Sequence, residues 1–376
     1  MPHIVANGVK LSYQQVGEGS DVILIHGLAT NRAFWFLQPL QMLKEEHRVT
    51  MFDLRGHGYS SMPEHGYTSA DMADDLAALM DHLRIEHAVL VGHSYGGVVG
   101  LQYATRNQER VKGLVLADSR VISLQPIQRI EEQAELQGME KELIAGSIDD
   151  WREEPHVGMR LLEDMARHKL KNGSQRSRQD TRQGFNPFGG MGKGERSARL
   201  WLQLLETTTA HDDIRSSAGL TLDRIRAFRK PILSIYGERS RCIETCRQLQ
   251  MELPHSDTII VPGVGHFHPI VRPRFFTNAV LDFIEMTNAI PNVADIRRKD
   301  SVRFVGRRNA SVWPNRNGQQ CRRRGQRRVD WRKRGWNGPE RRNGARDPAE
   351  SWLQKQANVR VRNSLAVTEI IQEKQA

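Results

Sequence analysis

Ala88-Val89-Leu90-Val91-Gly92-His93-Ser94-Tyr95-Gly96-Gly97 leads from four apolar residues through a glycine-flanked serine into the helical pattern of Tyr95 to Arg106. An apolar run of this length without alternation reads as a strand buried on both faces. Gly92-x-Ser94-x-Gly96 then turns the chain sharply from strand to helix, which projects the serine Oγ beyond the strand's carboxyl end. A turn this tight strains the backbone of Ser94 and brings neighbouring chain against positions 92 and 96. Side chains there would obstruct it. The strand before and the helix after distinguish the motif from a glycine-rich turn with an incidental serine.

Working outward, the same grammar repeats. His3 to Ala6 and Val9 to Gln15 flank Asn7-Gly8, a dipeptide suited to a type I′ hairpin turn. Val22 to Ile25 precedes a helical pattern from Phe36 to Glu46, Val49 to Phe52 precedes Ser69 to Leu83, and Gly113 to Ala117 follows the serine helix. This βα succession predicts an α/β fold: a mostly parallel, doubly wound sheet with helices on both faces. It stops between Ser119 and Lys230, where helical patterns (Ile127 to Ile144, Val157 to Lys171) alternate with polar loops, and resumes at Pro231 to Tyr236, Asp257 to Val261 and a last helix from Arg274 to Met286. The predicted organisation is a core of residues 1–118 and 231–290, a helical insertion over 119–230, and a tail over 291–376.

A serine hydroxyl needs a general base to remove its proton. His266, in Gly263-Val264-Gly265-His266-Phe267-His268-Pro269 after the last strand, is positioned to reach over the sheet edge. His268 is the competitor two residues away, and His57 in Arg55-Gly56-His57-Gly58 reads as holding its own loop. Charge developing on a substrate carbonyl also requires preorganised donors, for which the backbone N–H groups of Leu28, after His26-Gly27, and Tyr95 are the candidates.

Ile25-His26-Gly27-Leu28, Phe52-Asp53-Leu54-Arg55-Gly56-His57-Gly58-Tyr59-Ser60, the turn at Ser94 and Gly265-His266 together resemble the α/β-hydrolase family over about residues 1 to 288. The resemblance implies a lid inserted after the sixth strand. It also implies a serine hydrolase without a cofactor, cleaving a carboxylic ester or thioester through an acyl-enzyme. C–C bond hydrolysis and peroxyacid formation use the same residue types. The family often carries its acid in Gly-x-x-Asp after the strand that precedes the last one. Here that stretch reads Gly237-Glu238-Arg239-Ser240, with serine where the acid would be. Members that supply the acid from the sixth strand point to Asp118, and Glu238 and Glu244 are the fallbacks.

Composition narrows the partners. The chain of 376 residues is 38% apolar and 26% charged, in the range of ordinary globular proteins. No run approaches the roughly 18 apolar residues of a membrane span, and Met1 to Gly8 lacks the form of a secretory signal, so the expected location is the cytosol. Cys242, Cys246 and Cys321 are too few for a disulfide framework and are expected to be free thiols, without zinc-site spacing. The net charge of +11 is local: residues 295–376 hold 22 Lys and Arg against 8 Asp and Glu, which leaves 33 basic and 36 acidic residues in the remainder, a net of −3. The body therefore has no general bias toward nucleic acid. The tail, with Cys321-Arg322-Arg323-Arg324-Gly325-Gln326-Arg327-Arg328 and four of the seven Trp, is expected to be disordered. Its readings are an RNA-contacting segment, a solvated extension or an out-of-frame coding end. A non-catalytic binding protein using that tail is the reading from a different class. Gly184 to Gly194 fails the phosphate-loop pattern and is expected to be a loop. The basic cluster from Arg167 to Arg182 is either a contact for the phosphates of coenzyme A or a carrier-protein thioester, or a solvated face.

Overall fold

The computed structural model describes residues 1–36, 43–44, 46–128, 143–144, 151, 153–172, 186–189, 193–254 and 256–289, all within one contact unit spanning Met1–Asn292. Eight strands form one sheet: β1 (His3–Ala6), β2 (Val9–Val16), β3 (Ser20–Ile25), β4 (His47–Phe52), β5 (Ala88–His93), β6 (Val111–Ala117), β7 (Ile232–Gly237) and β8 (Asp257–Val261). Their spatial order is β1-β2-β4-β3-β5-β6-β7-β8, antiparallel at β1/β2 and β2/β4 and parallel from there on. Asn7 and Gly8 both adopt positive φ, 51° and 74°, as the I′ turn between β1 and β2 requires. All six residues of β5 and of β7 are buried, which explains why those strands read as unbroken apolar runs.

The principal helices are α1 (Ser69–His82), α2 (Tyr95–Arg106), α3 (Val157–Asn172), α4 (Lys193–Thr207), α5 (Ile243–Glu252) and α6 (Pro273–Ala289). Local chemistry fixes their starts and faces. Thr68 and Asp71 form a reciprocal capping box at the start of α1, whose buried residues Met72, Ala73, Leu76, Leu79 and Met80 recur at helical spacing. Among the described residues, no helix is long and apolar enough to cross a membrane.

The described parts of the insertion are tied to the loop after β4. Leu204 of α4 lies against Gly56, the Trp201 ring is 6.1 Å from that of His57, and the Tyr67 N–H donates to Asp213 Oδ2 at 2.9 Å. The helix expected from Ile127 to Ile144 and the one from Phe36 to Glu46 fall mostly outside the described residues. Of Gly184 to Gly194, residues 186–189 form a turn, in line with the loop expectation, whereas the end of the stretch corrects it because α4 begins at Lys193. Gly194 is small there for packing, since a Cβ would collide with the Phe188 carbonyl oxygen. The sheet edge that matters is the carboxyl edge. Parallel strands β3, β5, β6, β7 and β8 all end there, and the chain order reverses between β3 and β5, where ligand crevices form in open α/β sheets.

Candidate active site

Ser94 is the residue between β5 and α2, with φ 55° and ψ −125°. A non-glycine residue in this region is strained by roughly 1–3 kcal/mol and persists only because its surroundings fix it. The Ser94 N–H donates to the Ala117 carbonyl at 2.9 Å, which ties the turn to the end of β6. Close packing enforces the glycines on either side: a Cβ at Gly92 would overlap Gly97, and one at Gly96 would collide with the carbonyl oxygens of Ile25 and His26. A Cβ on Gly27 would come 2.8 Å from that of Ser94, so the end of β3 lies directly against the serine. The N–H groups of Leu28 and Tyr95 border this point and take part in no hydrogen bond among the described residues.

Asp118 follows β6 with φ 53° and is fully buried. Its Oδ2 accepts from the Gly237 N–H at 2.8 Å and its Oδ1 accepts from the Ser240 hydroxyl. The position where the sequence lacks the expected acid thus supplies a donor to the acid that β6 brings. His266 Nδ1 lies 3.6 Å from Asp118 Oδ1, with its side chain 20% exposed against 0% for the carboxylate. Burial raises the Asp118 carboxyl to about 6, with the donors at Ser240 and Gly237 opposing the shift. The two other carboxylates are elsewhere. Glu238 is exposed and accepts from the Gly263 N–H at 2.8 Å, while Glu244, on α5, accepts from Gln248 at 2.8 Å.

His268, the competitor, is engaged elsewhere. It is buried behind the carboxylate, with Nε2 3.0 Å from the Ile235 carbonyl and 3.3 Å from Asp118 Oδ2, and burial lowers it to about 4. It is therefore a neutral N–H donor near pH 7. His57 holds its loop as its sequence context implied. Its Nδ1 pairs with the Arg55 carbonyl at 2.9 Å and its Nε2 accepts from the Ala29 N–H at 3.3 Å. His26 likewise pairs Nδ1 with the Gly27 carbonyl and accepts from the Leu54 N–H. Burial lowers both rings to about 4, so both are neutral braces of the β3 and β4 ends.

Three neighbours of the site were not visible as such in the sequence. His93 Nε2 lies 3.0 Å from the His266 carbonyl and its ring stacks on Phe34 at 4.6 Å, so the residue before the serine helps set the loop carrying His266. Ser240 appeared only as a missing acid. Cys242, 3% exposed, has its Sγ 3.9 Å from His266 Nδ1. No periodicity or motif marks these residues, because their roles depend on three strand ends meeting. In the basic segment, Arg167 is engaged by Glu163 at 2.9 Å and Glu206 at 3.1 Å, and the residues from 173 to 182 lie outside the described ones.

The fold recurs in known proteins. The family model for the alpha/beta hydrolase fold matches residues 22–273. Among curated relatives, the chain is 28% identical over 287 residues to 2-(acetamidomethylene)succinate hydrolase of Mesorhizobium japonicum, covering 74% of this chain and 92% of that one. It is 27% identical over 294 residues to 2-hydroxy-6-oxo-2,4-heptadienoate hydrolase of Pseudomonas putida, covering 75% and 95%. Among solved structures, a carboxylesterase of Nitrososphaera gargenis superposes with a TM-score of 0.54 at 22% identity, covering 76% of this chain and 99% of that one. With the match spanning the sheet from β3 past β8, this chain belongs to the α/β-hydrolase fold family and is a hydrolase.

Proposed function

We propose that the protein hydrolyses a carboxylic ester or thioester through an acyl-enzyme on Ser94, with His266 as general base and Asp118 as its orienting acid. The observation that carries this reading is the approach of His266 Nδ1 to Asp118 Oδ1 at 3.6 Å, beside a strained Ser94 at the same sheet edge. With the carboxylate engaging Nδ1–H, the other ring nitrogen is the one left to take the serine proton as Oγ attacks the carbonyl carbon. The distance shortens to a hydrogen bond as the imidazolium forms, as free-enzyme catalytic contacts commonly do. The Leu28 and Tyr95 N–H groups receive the oxyanion. Collapse expels the alcohol or thiol with the proton from His266, and water repeats the sequence to release the acid. No cofactor enters these steps.

The relative matched over 95% of its length, named as a 2-hydroxy-6-oxo-2,4-heptadienoate hydrolase, favours a second reading, in which the same three residues cleave a C–C bond next to a ketone. Rates on acyl esters, acyl thioesters and a vinylogous diketone decide between them. Esters or thioesters turned over fastest would support the first reading, and hydrolysis confined to the diketone would replace it. Ser94→Ala, His266→Ala and the double variant should all lose activity to a similar degree, because residues acting as one unit are not additive. Additive losses would contradict the assignment.

A further inference from the structure

Cys242 has no part in acyl transfer, yet it stands beside the imidazole that does. Its Sγ is 3.9 Å from His266 Nδ1, which is 3.6 Å from Asp118 Oδ1, and one ligand atom from each of the three residues lies within 4.8 Å of the others. A tetrahedral zinc ion holds sulfur at about 2.3 Å and nitrogen or oxygen at about 2.0–2.2 Å, so its ligands sit about 3.6 Å apart for sulfur and nitrogen and about 3.4 Å for nitrogen and oxygen. The two measured separations exceed these by a few tenths of an ångström, and the third, sulfur to oxygen, is within 4.8 Å, so side-chain rotation has to draw the carboxylate and the thiol together around the ion. Each ligand comes from a different element: Asp118 from the end of β6, Cys242 from the start of α5, His266 from the loop after β8. The outer contacts are also in place. The Gly237 N–H and Ser240 hydroxyl hold the carboxylate, and the Cys242 N–H donates to Ser240 Oγ at 3.0 Å.

We infer that Asp118, Cys242 and His266 form a binding site for a thiophilic divalent cation of the zinc class, and that its occupation stops the hydrolase. Thiolate and imidazole ligands select zinc or cadmium over magnesium or calcium. On binding, the thiol proton leaves to solvent and the sulfur lone pair forms the metal–sulfur bond, with no change of oxidation state. The cation also takes Nδ1, whose proton leaves to solvent while Nε2 gains one, so the single imidazole proton ends on Nε2, the nitrogen that must accept the proton of Ser94. The binding half stands independently, whereas the inhibitory half rests on the acyl-enzyme reading.

Cadmium titrated into the full chain carrying Ser94→Ala tests binding without reference to turnover. The expected result is a thiolate-to-cadmium ultraviolet band saturating at one equivalent. Adding Cys242→Ser or Cys242→Ala should abolish it, Asp118→Asn should weaken binding at least tenfold, and Cys246→Ser or Cys321→Ser should leave it. Circular dichroism of both Cys242 variants confirms that each is folded. Absence of the band, or its persistence in a folded Cys242 variant, would overturn the site. Each protein's hydrolysis rate with zinc is then divided by its own rate without it. The ratio should fall more than tenfold for the unsubstituted chain, recover with a chelator, and stay near one for Cys242→Ser. Cadmium binding without zinc inhibition would overturn the inhibitory half. Absence of hydrolysis in metal-free protein would instead overturn the acyl-enzyme reading while the cadmium result stood.

Discussion

Asp118 is where local chemistry and function are most closely joined. Replacing it by asparagine keeps the shape but removes the charge that orients His266 and stabilises the imidazolium, and a loss on the order of 10⁴ in kcat is expected, as in the serine-protease triad. Glu238→Gln and Glu244→Gln should stay within about tenfold, because those carboxylates bind Gly263 and Gln248 instead. Steady-state kinetics of the three variants check the ranking, and a larger loss at either glutamate would move the acid to the later loop. Burial also gives Asp118 a thermodynamic signature. Its carboxyl titrates near 6 when folded against about 3.9 when unfolded, so between those values the folded state binds more protons. The group's contribution to stability is therefore present below about pH 4 and is lost as pH rises through about 6. Asp118→Asn should gain stability relative to the unsubstituted chain across that window, by up to about 3 kcal/mol. Denaturant titrations at pH 4 and pH 7 measure the difference, and no change in it would contradict the burial effect. Ser94 and His266 were legible because the motif around each implies its place at a sheet edge. Asp118 rested on the resemblance, and Ser240 read as a gap until its hydroxyl was seen to bind the carboxylate.

At the scale of elements, the turn between β5 and α2 tolerates no side chain facing β3. Gly96→Ala should destabilise the fold by several kcal/mol, in the range of overpacking and backbone displacement, because Cβ would collide with the Ile25 and His26 carbonyls. An unfolding midpoint close to that of the unsubstituted chain would show that this approach is looser than described. The insertion is proposed to act on a different property, substrate choice. Leu202 and Leu205 of α4 are buried at 8% exposure each, and neighbouring residues of that helix reach the loop after β4. Leu202→Ala and Leu205→Ala should shift relative rates across acyl lengths by several-fold, as one missing methylene or more in an apolar pocket does. Uniform scaling of all substrates would separate the insertion from specificity. Strand and helix positions were legible here: α2 and β8 have the bounds their patterns implied, and β7 differs only at its ends. The start of α4 was not, since Gly192-Lys193-Gly194 reads as a loop and only the packing of Gly194 on Phe188 explains a helix there.

For the whole molecule, the sheet, its helices and the three proposed catalytic residues are complete within the described residues before position 290. A chain ending at Asn292 is therefore expected to fold and to retain its rate within about twofold, a difference under about 0.5 kcal/mol in barrier. Loss of folded, active protein on this truncation would contradict that expectation. Salt-sensitive RNA binding by the full chain alone would assign the basic segment a role in phosphate contact. The expected disorder of that segment falls outside the described residues. Its charge could be read from the sequence by simple counting, whereas its effect on the remainder could not, since composition carries no contacts. The central claim is that Ser94 becomes acylated. Rapid mixing with an activated ester, acid quench within one turnover and peptide mass analysis test it most directly. The acyl group's mass is expected on the peptide containing Ser94, with no adduct and no turnover for Ser94→Ala. Undiminished turnover by Ser94→Ala, or hydrolysis by the unsubstituted chain with the acyl mass on another residue, would contradict it.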